Sequence, residues 1–234
     1  MKSLPRQIEK IIEPEPVIEG AGVHLKRSIA TETLDYLDPF LLLDHFESSN
    51  PREYQAGFPL HPHRGIETVT YVLRGEVHHK DTLGNSGSIG AGDVQWMTAG
   101  RGIMHEEMPQ VRPEGIAGFQ LWVNLPAKLK MTKPRYQDIW SGVIPEIKRE
   151  GGARIRAITG TIDGVSGPVT GIAANPIYLD VFVPLMLRSF SQSNGDTRRS
   201  HMCSRARRNL LAMVKKTEPW FHTQGSSCWV TAIM

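Results

Sequence analysis

Between His61 and Glu107 closely spaced glycines cut the chain into short apolar runs, and that spacing leaves little choice of fold. Val69-Thr70-Tyr71-Val72-Leu73 and Val94-Gln95-Trp96-Met97 are of strand length, rich in β-branched and aromatic residues. Gly75, Gly84, Asn85, Gly87, Gly90 and Gly92 punctuate the sequence between them. Branched and aromatic side chains suit a pleated surface, and Gly and Asn supply the backbone conformations of hairpin turns. The segment is therefore expected to form a hairpin-rich sheet, an all-β arrangement that brings residues distant in sequence into contact.

The two ends of this segment carry His61-Pro62-His63 and His105-Glu106-Glu107. Residues two apart on a strand point to the same face, so His61 looks the same way as His63, and His105 the same way as Glu107. Two strands can thus present three imidazoles and one carboxylate to a single point. Those donors suit divalent iron, manganese, nickel, copper or zinc rather than calcium. Four ligands leave one or two positions open on an octahedral ion, as non-haem oxygen chemistry requires. One His-x-His pair alone would be a common surface feature; the second pair on the same antiparallel unit is what points to a metal site.

Glu67 competes for the carboxylate position, because it shares the parity of His61 and His63. Four residues beyond His63 is roughly 13 Å along a continuous strand, although Gly65 could bend the strand back. The two-residue spacing of His105 and Glu107 needs no distortion and is preferred. Glu67 and Glu106 are kept as carboxylates behind the ligands, able to orient an imidazole.

Three strings carry a resemblance: Phe40-Leu41-Leu42-Leu43-Asp44-His45-Phe46, the run from His61 to Tyr71, and Gly92-Asp93-Val94-Gln95-Trp96-Met97-Thr98-Ala99-Gly100-Arg101-Gly102-Ile103 continuing through His105 and Glu107 to Pro109. They closely resemble the pirin family of the cupin superfamily. The likeness continues through Gly118–Pro126 and Pro134–Gln137 and weakens by Pro184. It implies a double-stranded β-helix barrel, complete in an N-terminal cupin over residues 1–140 and incomplete in a C-terminal cupin begun over 141–184. It also implies one Fe2+ held by His61, His63, His105 and Glu107, and quercetin 2,3-dioxygenase activity on a flavonol-like substrate with O2. Glu107, the ligand able both to hold the metal and to accept a proton from a substrate hydroxyl, is then the catalytic residue. Other members of the family are transcriptional cofactors, so a metal-dependent regulatory module with a protein partner and no turnover is the alternative.

Composition bounds the rest. Hydrophobic residues at 40% and charged residues at 22% match an ordinary globular chain of 234 residues. No apolar run approaches membrane-span length, and Met1–Lys10 lacks the apolar centre of a signal peptide. Two cysteines, Cys203 and Cys228, cannot build a disulfide framework. A cytoplasmic protein is expected, or a nuclear one in a eukaryote. The net charge of +3 hides an uneven distribution. From Arg188 onward there are eight Lys or Arg against two acids, leaving 19 basic and 22 acidic side chains in the first 187 residues. The body therefore gives no reason to expect nucleic-acid binding.

Further expectations follow in chain order. Gln7–Ile12 reads as a weak opening strand, Val23–Ile29 as an alternating one and Phe40–Leu43 as one buried on both faces. His45 is expected to be structural. Ser48–Gly57 reads as a loop on the pocket rim. Pro62 places its strand at an edge or bulge, and Arg64 is open to an anionic substrate or a neighbouring acid. His78 and His79, being adjacent, cannot both reach one ion and read as a solvated strand end. Ile103, Met104 and Met108 read as pocket wall or core. Residues 185–234 show neither strand alternation nor Gly-Asp turns. They are expected to be a poorly ordered tail outside the family pattern, arising from a reading-frame change or altered terminus, or else a basic tail that binds a partner. Strands 150–183 would then have an uncovered edge and a half-built core.

Overall fold

The first two strands, β1 (Glu15–Glu19) and β2 (Val23–Ile29), pair antiparallel, and in β2 the alternation is literal: Val23 and Leu25 are buried, His24 and Lys26 exposed. The computed structural model describes residues 12–174 and 176–183, together with the backbone of 208–214 and 232–233. The strand expected over Gln7–Ile12 lies outside these apart from Ile12. Then follow β3 (Phe40–Ser48), β4 (Phe58–His63), β5 (Ile66–Arg74), β6 (Val77–Asp81), β7 (Ser86–Ile89), β8 (Val94–Thr98), β9 (Ile103–Pro109), β10 (Ile116–Asn124) and β11 (Arg135–Ile139).

Seven of these strands form one sheet in the order β1-β2-β3-β10-β5-β8-β11, and the other four form a second in the order β4-β9-β6-β7. The two sheets face each other across a cavity that both line. Side chains of one parity line the lumen between them: Leu25 from β2, Phe46 from β3, Thr70 from β5, Val77 from β6 and Gln120 from β10. The jellyroll-like closure is the double-stranded β-helix barrel of the cupin fold.

Residues of the opposite parity on the large sheet form the main apolar layer. Val69, Tyr71, Trp96, Phe119, Leu121 and Val123 are buried there, each such side chain contributing roughly 1.5–3 kcal/mol. What covers them is a further set of strands. This comprises β12 (Glu146–Lys148), β13 (Arg154–Thr159), the small hairpin β14 (Thr161–Ile162) with β15 (Val165–Ser166), and β16 (Ile177–Val183). Ile144, Ile158, Val169 and Tyr178 join the same apolar cluster. A polar pin crosses between the units: Tyr71 Oη donates to Asp180 at 2.7 Å and accepts from Arg156 at 3.0 Å. The same guanidinium also donates to the carbonyls of Gly92 and Ser141. One face of the second sheet is therefore covered by the first barrel, while its other face carries a separate small cluster of Ala157, Ile162, Ile177 and Leu179.

The edge of this sheet is further out than expected. The backbone of β17 (Arg208–Val214) pairs antiparallel with all seven residues of β16, and β18 (Ala232–Ile233) pairs parallel to β17. Leu210-Leu211-Ala212-Met213-Val214 is a continuous apolar run, which a search for alternation passes over. The remainder of 185–234 lies outside the described residues.

Candidate metal centre

β4 and β9 pair antiparallel with His61 opposite His105, Pro62 opposite Met104 and His63 opposite Ile103. β4 is the edge strand of its sheet, with a register irregularity between Phe58 and His61. A proline that cannot donate to a ladder is tolerated there. At the far end of the β8–β9 connection the chain turns through Gly100 (φ +53°) and Gly102 (φ +132°). A Cβ at Gly100 would collide with the Thr132 carbonyl, so the tight corner that launches His105 needs glycine.

Register and parity bring the three imidazoles together. Their donor atoms all lie within 4.8 Å of one another, and the ring centroids stand 4.8, 4.6 and 5.0 Å apart. His61 Nε2 and His63 Nε2 are 3.0 Å apart, the edge expected of two nitrogens each about 2.1 Å from one ion at right angles. His61 Nδ1 faces the Pro59 carbonyl at 2.9 Å, which puts that ring's proton on Nδ1 and its lone pair on Nε2. Both nitrogens of His105 are buried with no hydrogen-bond partner among the described residues. Burial, then the neighbouring His105 and His61, holds His63 down to about 3. Burial likewise lowers His105. Three imidazoles converging on one point, two of them kept neutral by burial, fit a divalent cation.

Glu107 stands beside this triad and outside the 4.8 Å group. Its Oε2 is 3.8 Å from His105 Nε2, and its Oε1 accepts from Thr70 Oγ1 at 2.7 Å. The same hydroxyl lies 2.7 Å from Gln120 Oε1. Thr70 and Gln120 sit opposite each other in the β5–β10 ladder, on the wall facing β9. A cavity of about 630 Å³ opens onto His61, His63 and Glu107. Val23, Leu25, Phe46, Tyr54, Phe58 and Trp122 line it. Trp122 stands edge-on to His63 at 5.1 Å. Arg27 also reaches the cavity, held by both oxygens of buried Asp44 at 2.8 Å and by Glu19 at 2.9 Å. Its charge is thus matched within the protein, and the wall as a whole suits a mostly apolar, ring-shaped molecule. Thr70, Gln120, Arg27 and Tyr54 escaped the sequence reading. The signal was present for Thr70 and Gln120, polar side chains at the inward parity of otherwise apolar strands.

Several expectations are corrected. Glu67 does not orient an imidazole: β4 ends at His63, Gly65 takes φ +70°, and β5 restarts with the other parity. Glu67 therefore lies on the opposite side of the large sheet, accepting from Thr98 at 2.8 Å, and its burial raises its pKa. Glu106 is on the outer face of β9, opposite Lys80 in the ladder. Met104 is 40% exposed for the same reason, while Ile103 packs with Met97 and Ala99. Arg64 has no acidic partner among the described residues; its Nη2 lies 3.5 Å from the Met131 sulfur.

His78 is the exposed strand-end residue expected, paired with Glu76. His79 is not solvated. It is buried inside the lumen, stacked on Tyr136 with centroids 5.8 Å apart and 3.6 Å from the Asp138 carboxylate. Strand alternation separates the two histidines, and the inward one lands opposite Glu107 in the β6–β9 ladder. His45 is structural, packed 4.9 Å from the Phe119 ring beside Glu47. The Ser48–Gly57 loop contributes Tyr54 to the cavity.

Comparison with known proteins agrees with this architecture. The family model described as Pirin matches residues 22–123. A pirin-like protein of Caulobacter vibrioides is 47% identical over 180 residues, covering 76% of this chain and 65% of its own. The crystal structure of a quercetin 2,3-dioxygenase from Acinetobacter baumannii superposes with a TM-score of 0.65 at 36% identity, over 74% of this chain and 63% of that one. A Geobacillus kaustophilus protein of known structure gives 0.66 at 38% identity, over 78% and 70%. The chain spans a little under two thirds of the length of the curated relatives it matches first. Matching residues, shared barrel and strand-borne histidines converge on one assignment, and the chain belongs to the pirin family.

Proposed function

We propose that His61, His63, His105 and Glu107 hold a single divalent metal, Fe2+ by preference, and that the chain is an oxygenase of the quercetin 2,3-dioxygenase type, cleaving flavonols with O2. The observation that carries this reading is the convergence of three imidazoles beneath a 630 Å³ apolar cavity. When bound, the metal would supply a Lewis-acidic, redox-active centre at which an acidic hydroxyl and O2 can meet. The chain's own residues do the rest. Glu107, at the cavity wall, accepts the hydroxyl proton of the substrate. Trp122, Phe46 and Phe58 offer ring faces and edges to a planar aromatic body, and the apolar wall keeps water from the reacting atoms. Arg27 is spoken for by Asp44 and Glu19, so a small dicarboxylate finds no free cation on this part of the wall.

Anaerobic addition of quercetin to the Fe2+-loaded protein, followed by O2, tests the proposal. Carbon monoxide and the ring-opened ester are expected in equal amounts. Stoichiometric metal and bound quercetin without carbon monoxide would instead identify a metal-dependent binding module whose readout is a protein partner.

A further inference from the structure

The Glu107 carboxylate does not stand alone at the edge of the triad. It is gripped from the opposite sheet, and the hydrogen count of that grip is informative. Thr70 Oγ1 lies 2.7 Å from Glu107 Oε1 and 2.7 Å from the oxygen assigned as Gln120 Oε1. A threonine hydroxyl has one proton, and a carboxylate can only accept. With two acceptors at 2.7 Å, one short contact would carry no hydrogen. Amide oxygen and nitrogen are interchangeable in such an assignment. Turning the Gln120 amide so that its NH2 faces the hydroxyl gives a continuous chain: Gln120 donates to Thr70, and Thr70 donates to Glu107.

Resting on the metal-ligand reading of Glu107, we infer that Thr70 and Gln120 are positioning residues that hold this carboxylate in place for the metal. Three observations support it. Thr70 and Glu107 are both buried, at 4% and 6% exposure, so bulk solvent has little access to the bond. Thr70 and Gln120 are paired directly across β5 and β10, in the middle of the large sheet, so the anchor is as rigid as the barrel. The grip takes Oε1 and leaves Oε2 free of it, 3.8 Å from His105 Nε2. Gln120 also lines the cavity, so the same chain joins the carboxylate to a wall that a bound molecule touches.

The test is Mn2+ affinity of the metal-stripped full chain, measured by titration calorimetry in a double-mutant cycle. Thr70→Val is expected to weaken Mn2+ binding about 10- to 100-fold, the usual loss when the partner of a metal ligand is removed. Thr70→Ser, which keeps the hydroxyl, should restore most of that affinity. In a Glu107→Gln background Thr70→Val should add little further loss, because there is no carboxylate left to position. Full Mn2+ affinity in Glu107→Gln would sink the ligand reading itself. Weak binding in Glu107→Gln but full affinity in Thr70→Val, or equal losses from Thr70→Val in both backgrounds, would overturn the positioning role alone. Should Thr70→Val not fold, Gln120→Leu in the same cycle decides, with a loss that must again vanish when Glu107 is absent.

Discussion

Acid should weaken the metal-free protein through His63 in particular. That imidazole is 6% exposed, and burial together with His105 and His61 lowers it from an ordinary value of 6.5 to about 3. A base depressed in the folded state takes up its proton more readily when the chain unfolds, so stability falls as pH drops below 6.5 and continues to fall until about pH 3. At pH 5 the unfolded ring is almost fully protonated and the folded one almost fully neutral. The linkage relation then gives a loss of about 2 kcal/mol between pH 7 and pH 5 from this one group. His105, shifted the same way by burial, adds to the loss. Urea unfolding of the metal-stripped chain at both pH values measures it. His63→Gln, which cannot titrate there, should lose about 2 kcal/mol less than wild type over that interval, whatever its stability at pH 7. An identical pH dependence in the two proteins would refute the reasoning, since it would mean that the folded ring accepts its proton as easily as the unfolded one.

His61→Ala and His105→Ala should abolish tight metal binding while His78→Ala, on an exposed ring paired with Glu76, leaves it intact; elemental analysis of the three purified proteins decides. Arg27→Met should destabilise the barrel by about 3–5 kcal/mol, because Asp44, 3% exposed and already raised by burial, loses the bidentate partner that favours its charged form; thermal or urea unfolding measures the loss, and a change under 1 kcal/mol would show that Asp44 does not depend on Arg27. Tyr71→Phe removes the hydroxyl between Asp180 and Arg156 at a cost of about 1–3 kcal/mol. Its effect should appear as faster amide exchange in β16, with β5 and β9 little changed.

Much of this molecule was legible from residue types and spacing alone. Period-two alternation placed Val23–Ile29, the glycines placed the hairpins, and parity put His61 with His63 and His105 with Glu107. These are local properties: a strand's side chains alternate whatever the strand packs against, and Gly turns work at short range. Parity failed at the first break in the backbone. Glu67 shares the numbering parity of His63, yet Gly65 at φ +70° ends one strand and starts another, which sends Glu67 through to the opposite face. His79 failed in the other direction, since adjacency to exposed His78 says nothing about which of the two faces a lumen.

What the sequence by itself determined was the inventory and its periodicity: an all-β chain, two donor pairs on strands, and a corner only glycine can turn. Tertiary structure alone decided which strands became neighbours. Sheet order sets β10 beside β5, which places Gln120 against Thr70 and Thr70 against Glu107, residues 37 to 50 positions apart. It also laid the second unit's strands over the outer face of the first barrel, covering an apolar layer that pattern alone could not assign to a partner. The physical reason is that pairing and layer packing are contacts between segments far apart along the chain, and a side chain's period records which way it points but not what it will meet.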